Sequence, residues 1–270
     1  MNNVMDLEEF RQWMLDRELS ENTIDVYMQS VKQYFSMYPE LSKKNMIAYK
    51  KVMLEKHKPK TANIRCIGMN QYCKFRNRRD CEIKTIKIHK NLTVENVITR
   101  EQFEKLLEGL RADGNEKGYW MVKFLGKTGA RASEFVRLDK KCLETGVCEM
   151  WTKGKIRRIL IPDSLIEESR EYFEKVDSEL LFPSRTTGKQ MTTSNINSSL
   201  KDWARKYGIP EKVAHAHSFR HLYAVEFLKV NKNIALLADL MGHESVDTTA
   251  IYLKLSAEEQ RRQFNQACSW

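Results

Sequence analysis

The sequence predicts a mainly α-helical protein in two parts, an N-terminal bundle of about four helices and a mixed α/β domain with a small antiparallel sheet. Three observations carry this expectation. Apolar residues recur at helical spacing through the first 80 residues and again after residue 98. Between 142 and 162 the apolar period shortens toward two, the spacing of a strand with one buried face. Separating the parts, IKTIKIHKNLTVENVI (83–98) has little helical amphipathicity. A chain of 270 residues has room for two such domains.

The elements follow in order. Leu7, Phe10, Met14 and Leu15 mark one helical face, and Ile24, Tyr27, Val31 and Phe35 mark the next. Ser20, Ser42 and Thr61 each precede a periodic stretch, where a hydroxyl can cap free backbone N–H groups. Pro39 and Pro59 fall in the gaps. The first domain is expected over 1–82, an extended linker over 83–98 and the second domain over 99–270. Thr99 starts a helix with Phe103, Leu106 and Leu107 on one face, and another apolar helix spans about 117–127 and ends near Gly129. Two strands, Val147 to Thr152 and Ile156 to Ile161, flank the turn Lys153-Gly154-Lys155 and close at Pro162. Helices resume from 163, and 253–270 is expected to be helical, with Leu255 and Phe264 free to pack on a neighbouring protomer.

Charge narrows the partners. The net charge is +10, but residues 1–40 hold three bases against eight acids, whereas 41–90 hold fifteen against three. A basic block this concentrated suits a polyanion, since neutralised phosphates release counterions on binding. No apolar run is long enough for a membrane span, and MNNVMDLEEF lacks the basic-then-apolar layout of a signal peptide. A cytoplasmic protein is expected. The six cysteines include no C-x-x-C pair, so all six are expected as free thiols.

Four separated segments matter together: TGARASEFVRL (128–138), TKGKIRR (152–158), HSFRH (217–221) and LMGHESVDTTAIY (240–252). Each is ordinary alone. An arginine after a glycine turn is usually a surface charge, lysines at a hairpin tip are common, and a tyrosine at helical spacing is more often a core aromatic. Their order and character nevertheless resemble the tyrosine recombinase (phage integrase) family. The family's TGxRxSE-like segment is matched by Thr128, Gly129, Arg131, Ser133 and Glu134. TKGKIRR stands where the family has a GKGxKxR-like β-turn, with Thr152 replacing its first glycine. Counting back five from Arg158 selects Lys153 as the family's lysine, while Lys155 remains open. HxxR is matched by His217 and Arg220, and LGHxxxxTTxxY by Met241-Gly242-His243 through Thr248, Thr249 and Tyr252, with Met241 in place of leucine. The N-terminal LSENTIDVYMQSVKQYF also resembles the family's core-binding domain, so the likeness runs over nearly the whole chain.

The resemblance implies a simple two-domain site-specific DNA recombinase: a four-helix core-binding domain followed by a catalytic domain of the tyrosine recombinase type. It implies a C-shaped clamp on double-stranded DNA with inverted-repeat sites, and a homotetramer on two duplexes. Tyr252 would attack the phosphodiester and form a covalent phosphotyrosine. Arg131 and Arg220 would cradle the phosphate, because guanidinium forks match paired oxygens. Glu134, three residues after Arg131, would orient that guanidinium or a neighbour. Lys153 would protonate the departing 5′ oxygen, His217 would handle the proton of Tyr252, and His243 would donate a hydrogen bond to the phosphate. One phosphoester replaces another, so no cofactor is expected, and no P-loop is present. His215, His217 and His221 lack the further ligands of a zinc site, so no metal is expected either. Two alternatives stay open: a type IB topoisomerase-like enzyme, and a DNA-binding protein that has lost catalysis.

Overall fold

The computed structural model describes residues 3–88, 96–152, 155–243, 245–253 and 264–269. The class is the expected one, mostly helical with one two-stranded antiparallel sheet. The chain forms two compact units, Met1–Asn91 and Leu92–Trp270. Among the described residues no helix is long and apolar enough to cross a membrane.

The first unit is four helices: α1 (Asn3–Leu15), α2 (Glu21–Met37), α3 (Lys43–Lys56) and α4 (Pro59–Phe75). Phe10 and Met14, then Ile24, Val31 and Tyr34, then Met46, Tyr49 and Met53, then Cys66, Met69 and Cys73 fill its core at helical spacing. The α2 and α4 backbones cross closely at Gly68, where a Cβ would lie 2.8 Å from Ser30 Oγ and 3.1 Å from Tyr27 Cα. Lys43, Lys44, Lys51 and Lys56 on α3 and Lys60 and Lys74 on α4 are exposed, so the basic block is a surface.

Of the three expected caps, only Ser42 works as foreseen, accepting from Asn45 N. Ser20 sits at the α2 N-cap, but its hydroxyl meets the Thr23 hydroxyl at 2.9 Å. Thr61 lies inside α4, because Pro59 takes the first helical position, where its missing N–H is harmless.

Beyond a 3₁₀ turn at Arg79–Cys81, the chain is tied to α4 by two asparagines. Asn70 exchanges two hydrogen bonds with the Ile83 backbone (2.8 and 3.0 Å), and Asn63 exchanges two with Ile86 (both 2.9 Å). The spacings match. Seven helical residues rise about 10 Å, and three extended residues also span about 10 Å. Each amide thus pairs like a strand neighbour, satisfying backbone groups that a bare linker would leave to water. The remainder of the expected linker, 89–95, lies outside the described residues.

The second unit opens with α5 (Arg100–Ala112), closed at its start by a reciprocal Thr99–Gln102 capping box. α6 (Glu116–Thr128) ends on Gly129 at φ +62. There follow α7 (Ala132–Phe135), α8 (Lys140–Thr145), β1 (Val147–Thr152), β2 (Lys155–Leu160), α9 (Asp163–Glu174), α10 (Thr193–Lys206), α11 (Ala216–Val230), α12 (Ile234–Met241) and α13 (Val246–Thr249). A last 3₁₀ turn, Ala250–Leu253, carries Tyr252. Phe124, Phe135, Phe173 and Phe182 interlock in the core, with Phe135 stacked on Phe182 at 4.7 Å. That ring cluster anchors α7, the short helix that carries Glu134.

In the hairpin, Val147 pairs with Leu160 and Thr152 with Lys155. β2 therefore starts one residue before the expected Ile156 and stops before Ile161, whose N–H bonds Gly146 O instead. Cys148, Met150, Arg157 and Ile159 face inward, while the directly paired Trp151 and Ile156 are exposed. At the far end, 254–263 of the expected terminal helix lie outside the described residues, and Phe264 is exposed.

The expectation of six free thiols is corrected at one pair. Cys142 and Cys148 are joined as a disulfide with Cα atoms 4.7 Å apart. The left-handed turn at Gly146 (φ +70) reverses the chain after α8 and brings β1 back beside it. Cys66, Cys73 and Cys81 are buried free thiols and Cys268 an exposed one.

Candidate active site

Four stretches of the second unit meet around Arg131, Glu134, Arg157 and Arg220. Arg131 occupies the extended position before α7, where the chain leaves the Gly129 turn. Its backbone N–H donates to Glu134 Oε2 (2.8 Å), its Nη1 to Glu134 Oε1 (2.7 Å) and its Nη2 to Gly242 O (2.8 Å). Glu134 is 2% exposed and accepts a further bond at Oε1 from Arg157 Nε (2.8 Å). Burial alone would raise the Glu134 pKa. The Arg131 backbone N–H and the Arg157 charge outweigh burial and hold it below the usual carboxylate value.

Arg220, on α11, is 1% exposed. Its Nη1 donates to Gly129 O (2.8 Å), and its Nη2 to Met241 O and His243 Nε2 (3.1 Å to the latter). Burial, then repulsion from Arg131 and Arg157, brings its pKa down to about 10, so it stays a cation at neutral pH. A guanidinium cannot accept, so His243 accepts at Nε2 and its Nδ1–H donates to Thr249 Oγ1 (2.7 Å). In this arrangement His243 supports Arg220 through Nε2. Burial and the Arg220 charge push His243 down to about 4, which keeps it neutral.

The backbone turn that joins these side chains is Gly242, the αL residue ending α12 (φ +57). Its carbonyl receives Arg131, and a Cβ there would overlap Arg157 Nη1 and lie 2.9 Å from Arg157 Cδ. Gly242→Ala therefore meets both backbone strain and a collision. It is expected to cost about 1–2 kcal/mol from the left-handed conformation alone. It also collides with Arg157 beside the Arg131 acceptor, and a loss on thermal unfolding beyond that cost would be the sign of the collision.

Tyr252 is 8% exposed and packs against Ala224, Leu228, Leu237 and Met241. Its hydroxyl lies 2.6 Å from Nδ1 of His221. Burial, opposed by Arg220, pushes the phenol up to about 12. His221 is brought down to about 4 by burial and then by His217, so a neutral imidazole meets a neutral phenol. The histidine on the Tyr252 hydroxyl is thus His221, where His217 was expected. One turn separates them on α11, which leaves His217 exposed with its ring 4.2 Å from that of His221.

Lys153 lies outside the described residues, and of Lys155 only the backbone pairing with Thr152 is described. Two residues of the cluster escaped the sequence expectations. Arg157 shares strand parity with the inward Ile159, a period-two signal, whereas Arg158, the one used for counting, is exposed and pairs with Glu149 (2.9 Å). His221 is four residues after His217, close to one helical turn.

Among the described residues one group could in principle hold a metal: Asp139, Cys142 and Cys148. There Asp139 caps Cys142 N and the sulfurs face each other, so each has another partner. His215 caps α11 through Nδ1, which accepts from Ser218 N (3.1 Å).

Glu134→Gln leaves the buried Arg157 and the half-buried Arg131 without their shared anion. Breaking a buried pair by removing one partner costs about 3–5 kcal/mol. A carboxylate whose folded pKa is lowered contributes stability that is present above its unfolded pKa and lost as pH falls through the folded value. Thermal unfolding of wild type and variant should therefore differ most at neutral pH and draw together as pH falls below the ordinary glutamate range and through the lowered folded value. A variant as stable as wild type at pH 7 would contradict the pairing.

Residues 96–259 match the phage integrase family. The chain belongs to that family. Its members are the tyrosine recombinases, enzymes of site-specific DNA recombination. Among similar proteins, the tyrosine recombinase XerA of Pyrococcus furiosus is 28% identical over 272 residues, spanning 97% of this chain and 93% of that protein. Solved structures share the fold. A XerA recombinase aligns over 98% of both chains at 22% identity and a TM-score of 0.55. The Tn1549 transposon integrase, solved in complex with transposon right-end DNA, aligns over 98% of this chain and 99% of that one at 17% identity and 0.72.

Proposed function

We propose that this chain recombines double-stranded DNA at inverted-repeat sites through a covalent 3′-phosphotyrosine on Tyr252. The observation that carries it is convergence. Segments as far apart as 129–134 and 241–252 meet through direct hydrogen bonds, setting two expected guanidiniums beside the backbone turn that precedes the tyrosine.

In the proposed reaction a phosphodiester enters between Arg131 and Arg220, which stabilise charge on its non-bridging oxygens. The Tyr252 oxygen attacks phosphorus, the bond to the 5′ oxygen breaks, and Lys153 protonates the leaving hydroxyl. A 5′-hydroxyl from a second strand then attacks the phosphotyrosine and regenerates the phenol. The number of phosphoester bonds is unchanged, so no external energy source is needed. His221 holds the phenol beforehand, and His217, on the solvent side of the same helical turn, takes part in passing on its proton. His243 keeps Arg220 aimed. An arriving phosphate raises its proton affinity and turns Nε2 into a donor. The basic surface of the first unit supplies the sequence-independent part of DNA binding. Four protomers on two duplexes complete the exchange, in the cytoplasm.

The test is a suicide DNA substrate nicked beside the cleavage point and bearing the flanking inverted repeats. A denaturing gel is expected to show a protein–DNA adduct, and peptide mapping should place it on residue 252. Tight binding without any adduct would favour a DNA-binding protein without catalysis. An adduct accompanied by relaxation, with no exchange between sites, would favour the topoisomerase alternative.

A further inference from the structure

The cluster contains one cation more than an orienting pair needs. Glu134 is already matched by Arg131, through a side-chain bond and a backbone bond. Arg157 nevertheless brings a third guanidinium, 7% exposed, into a site that also holds Arg220. Its Nε reaches Glu134 Oε1, while its Nη1 and Nη2 are buried without a hydrogen-bond partner. Among the described residues it is the one side chain with two such atoms. The nearby acceptors are taken: Gly242 O by Arg131, and Gly129 O and Met241 O by Arg220.

Burying an extra like charge and two unsatisfied donors opposes folding. A hydrophobic side chain of similar size at 157 would avoid both penalties, since Arg131 still satisfies the carboxylate. Such a feature is kept where function outweighs stability.

We infer that Arg157 is a positioning residue that offsets Glu134, so that Arg131 is oriented by a carboxylate without being neutralised by it. Because Oε1 is divided between two guanidiniums, Arg131 keeps its bond geometry and its second nitrogen row remains electrophilic toward an entering anion. The three arginines and one carboxylate carry a net charge of two. A phosphodiester monoanion cancels one of those two charges and the doubly charged transition state cancels both, so repulsion among the guanidiniums falls on binding and further as phosphorus is attacked. Gly242 belongs to the same device, since only a residue without Cβ leaves room for the Arg157 guanidinium beside the Arg131 acceptor.

The inference rests on the phosphate-binding reading above, and its test separates the two. Full-length wild type, Arg157→Met and Arg157→Lys are compared by thermal unfolding in chloride, by unfolding in inorganic phosphate at matched ionic strength, and by single-turnover cleavage of the nicked substrate. In chloride Arg157→Met is expected to melt at or above wild type. In phosphate it should lose most of the upward shift that wild type shows, and cleavage should slow by about 100-fold, the scale of one lost oxyanion donor. Arg157→Lys should recover part of the phosphate shift. An Arg157→Met protein that melts several degrees lower, yet keeps the full phosphate shift, would overturn the inference and make Arg157 a structural residue. If wild type forms no adduct while the phosphate shift still depends on Arg157, the charge offset stands and the recombinase reading fails.

Discussion

Phenylalanine at position 252 is expected to abolish covalent capture of nicked DNA while leaving DNA binding within a few-fold of wild type. The substitution removes one atom, the oxygen that would become the phosphoester. The ring keeps its contacts with Leu228, Leu237 and Met241, so the fold should tolerate it. The structural loss is the 2.6 Å hydrogen bond to His221, worth about 1 kcal/mol for a neutral pair. Catalysis and stability are therefore well separated, and a gel showing bound but never covalent DNA would be unambiguous. An adduct persisting in Tyr252→Phe would mean that another side chain is the nucleophile. Melting more than about 10 °C lower would mean that the phenol is chiefly a core hydroxyl, since that shift corresponds to several kcal/mol in a domain of this size.

Arg220→Ala is the second large effect. A guanidinium that stabilises charge in phosphoryl transfer is worth about 10³–10⁵ in rate, and single-turnover cleavage should fall by that order. Stability moves less, because two contributions oppose. The Gly129 and Met241 carbonyls lose their donor, at about 1–3 kcal/mol for each buried group left unsatisfied. Against this, repulsion with Arg131 and Arg157 is relieved. Lysine is not expected to restore activity, since a single ammonium cannot reach Gly129 O, Met241 O and His243 with the fork geometry seen here. Cleavage within ten-fold of wild type in Arg220→Ala would remove this arginine from the phosphate clamp.

Much of this was legible in the chain. Helical periodicity located α1 to α6 because their buried faces are continuous, and Thr99 and Gly129 marked boundaries that real backbone bonds and a left-handed turn enforce. Three-residue spacing suggested that Glu134 orients Arg131 or a neighbour, and the two side chains are hydrogen-bonded at 2.7 Å. The failures share a cause, which is that spacing within one segment says nothing about what another segment brings to it. Arg157 and Arg158 are equivalent in composition, and although strand parity with Ile159 turns Arg157 inward, its partner Glu134 comes from another segment. His217 and His221 lie on one helical face, and the choice between them depends on where a turn thirty residues later delivers Tyr252. Thr61 had the chemistry of a cap, but Pro59 started the helix two residues earlier. Cys142 and Cys148 were judged by composition, while their meeting depends on the reversal at Gly146.

The wiring of the arginine cluster also bears on how such a protein can change over time. Among the described residues, the side-chain hydrogen bonds of Arg131, Glu134, Arg157, Arg220, His221, His243 and Tyr252 end on residues between 129 and 252. The segment 82–86 is likewise bonded to α3 and α4 of its own unit, through Lys43, Lys50, Asn63 and Asn70. The described bonds of the arginine cluster thus stay within the second unit, and those of 82–86 within the first. Substitutions of the exposed lysines on α3 and α4 leave every one of those cluster bonds in place, so the basic surface can change without rewiring the arginines.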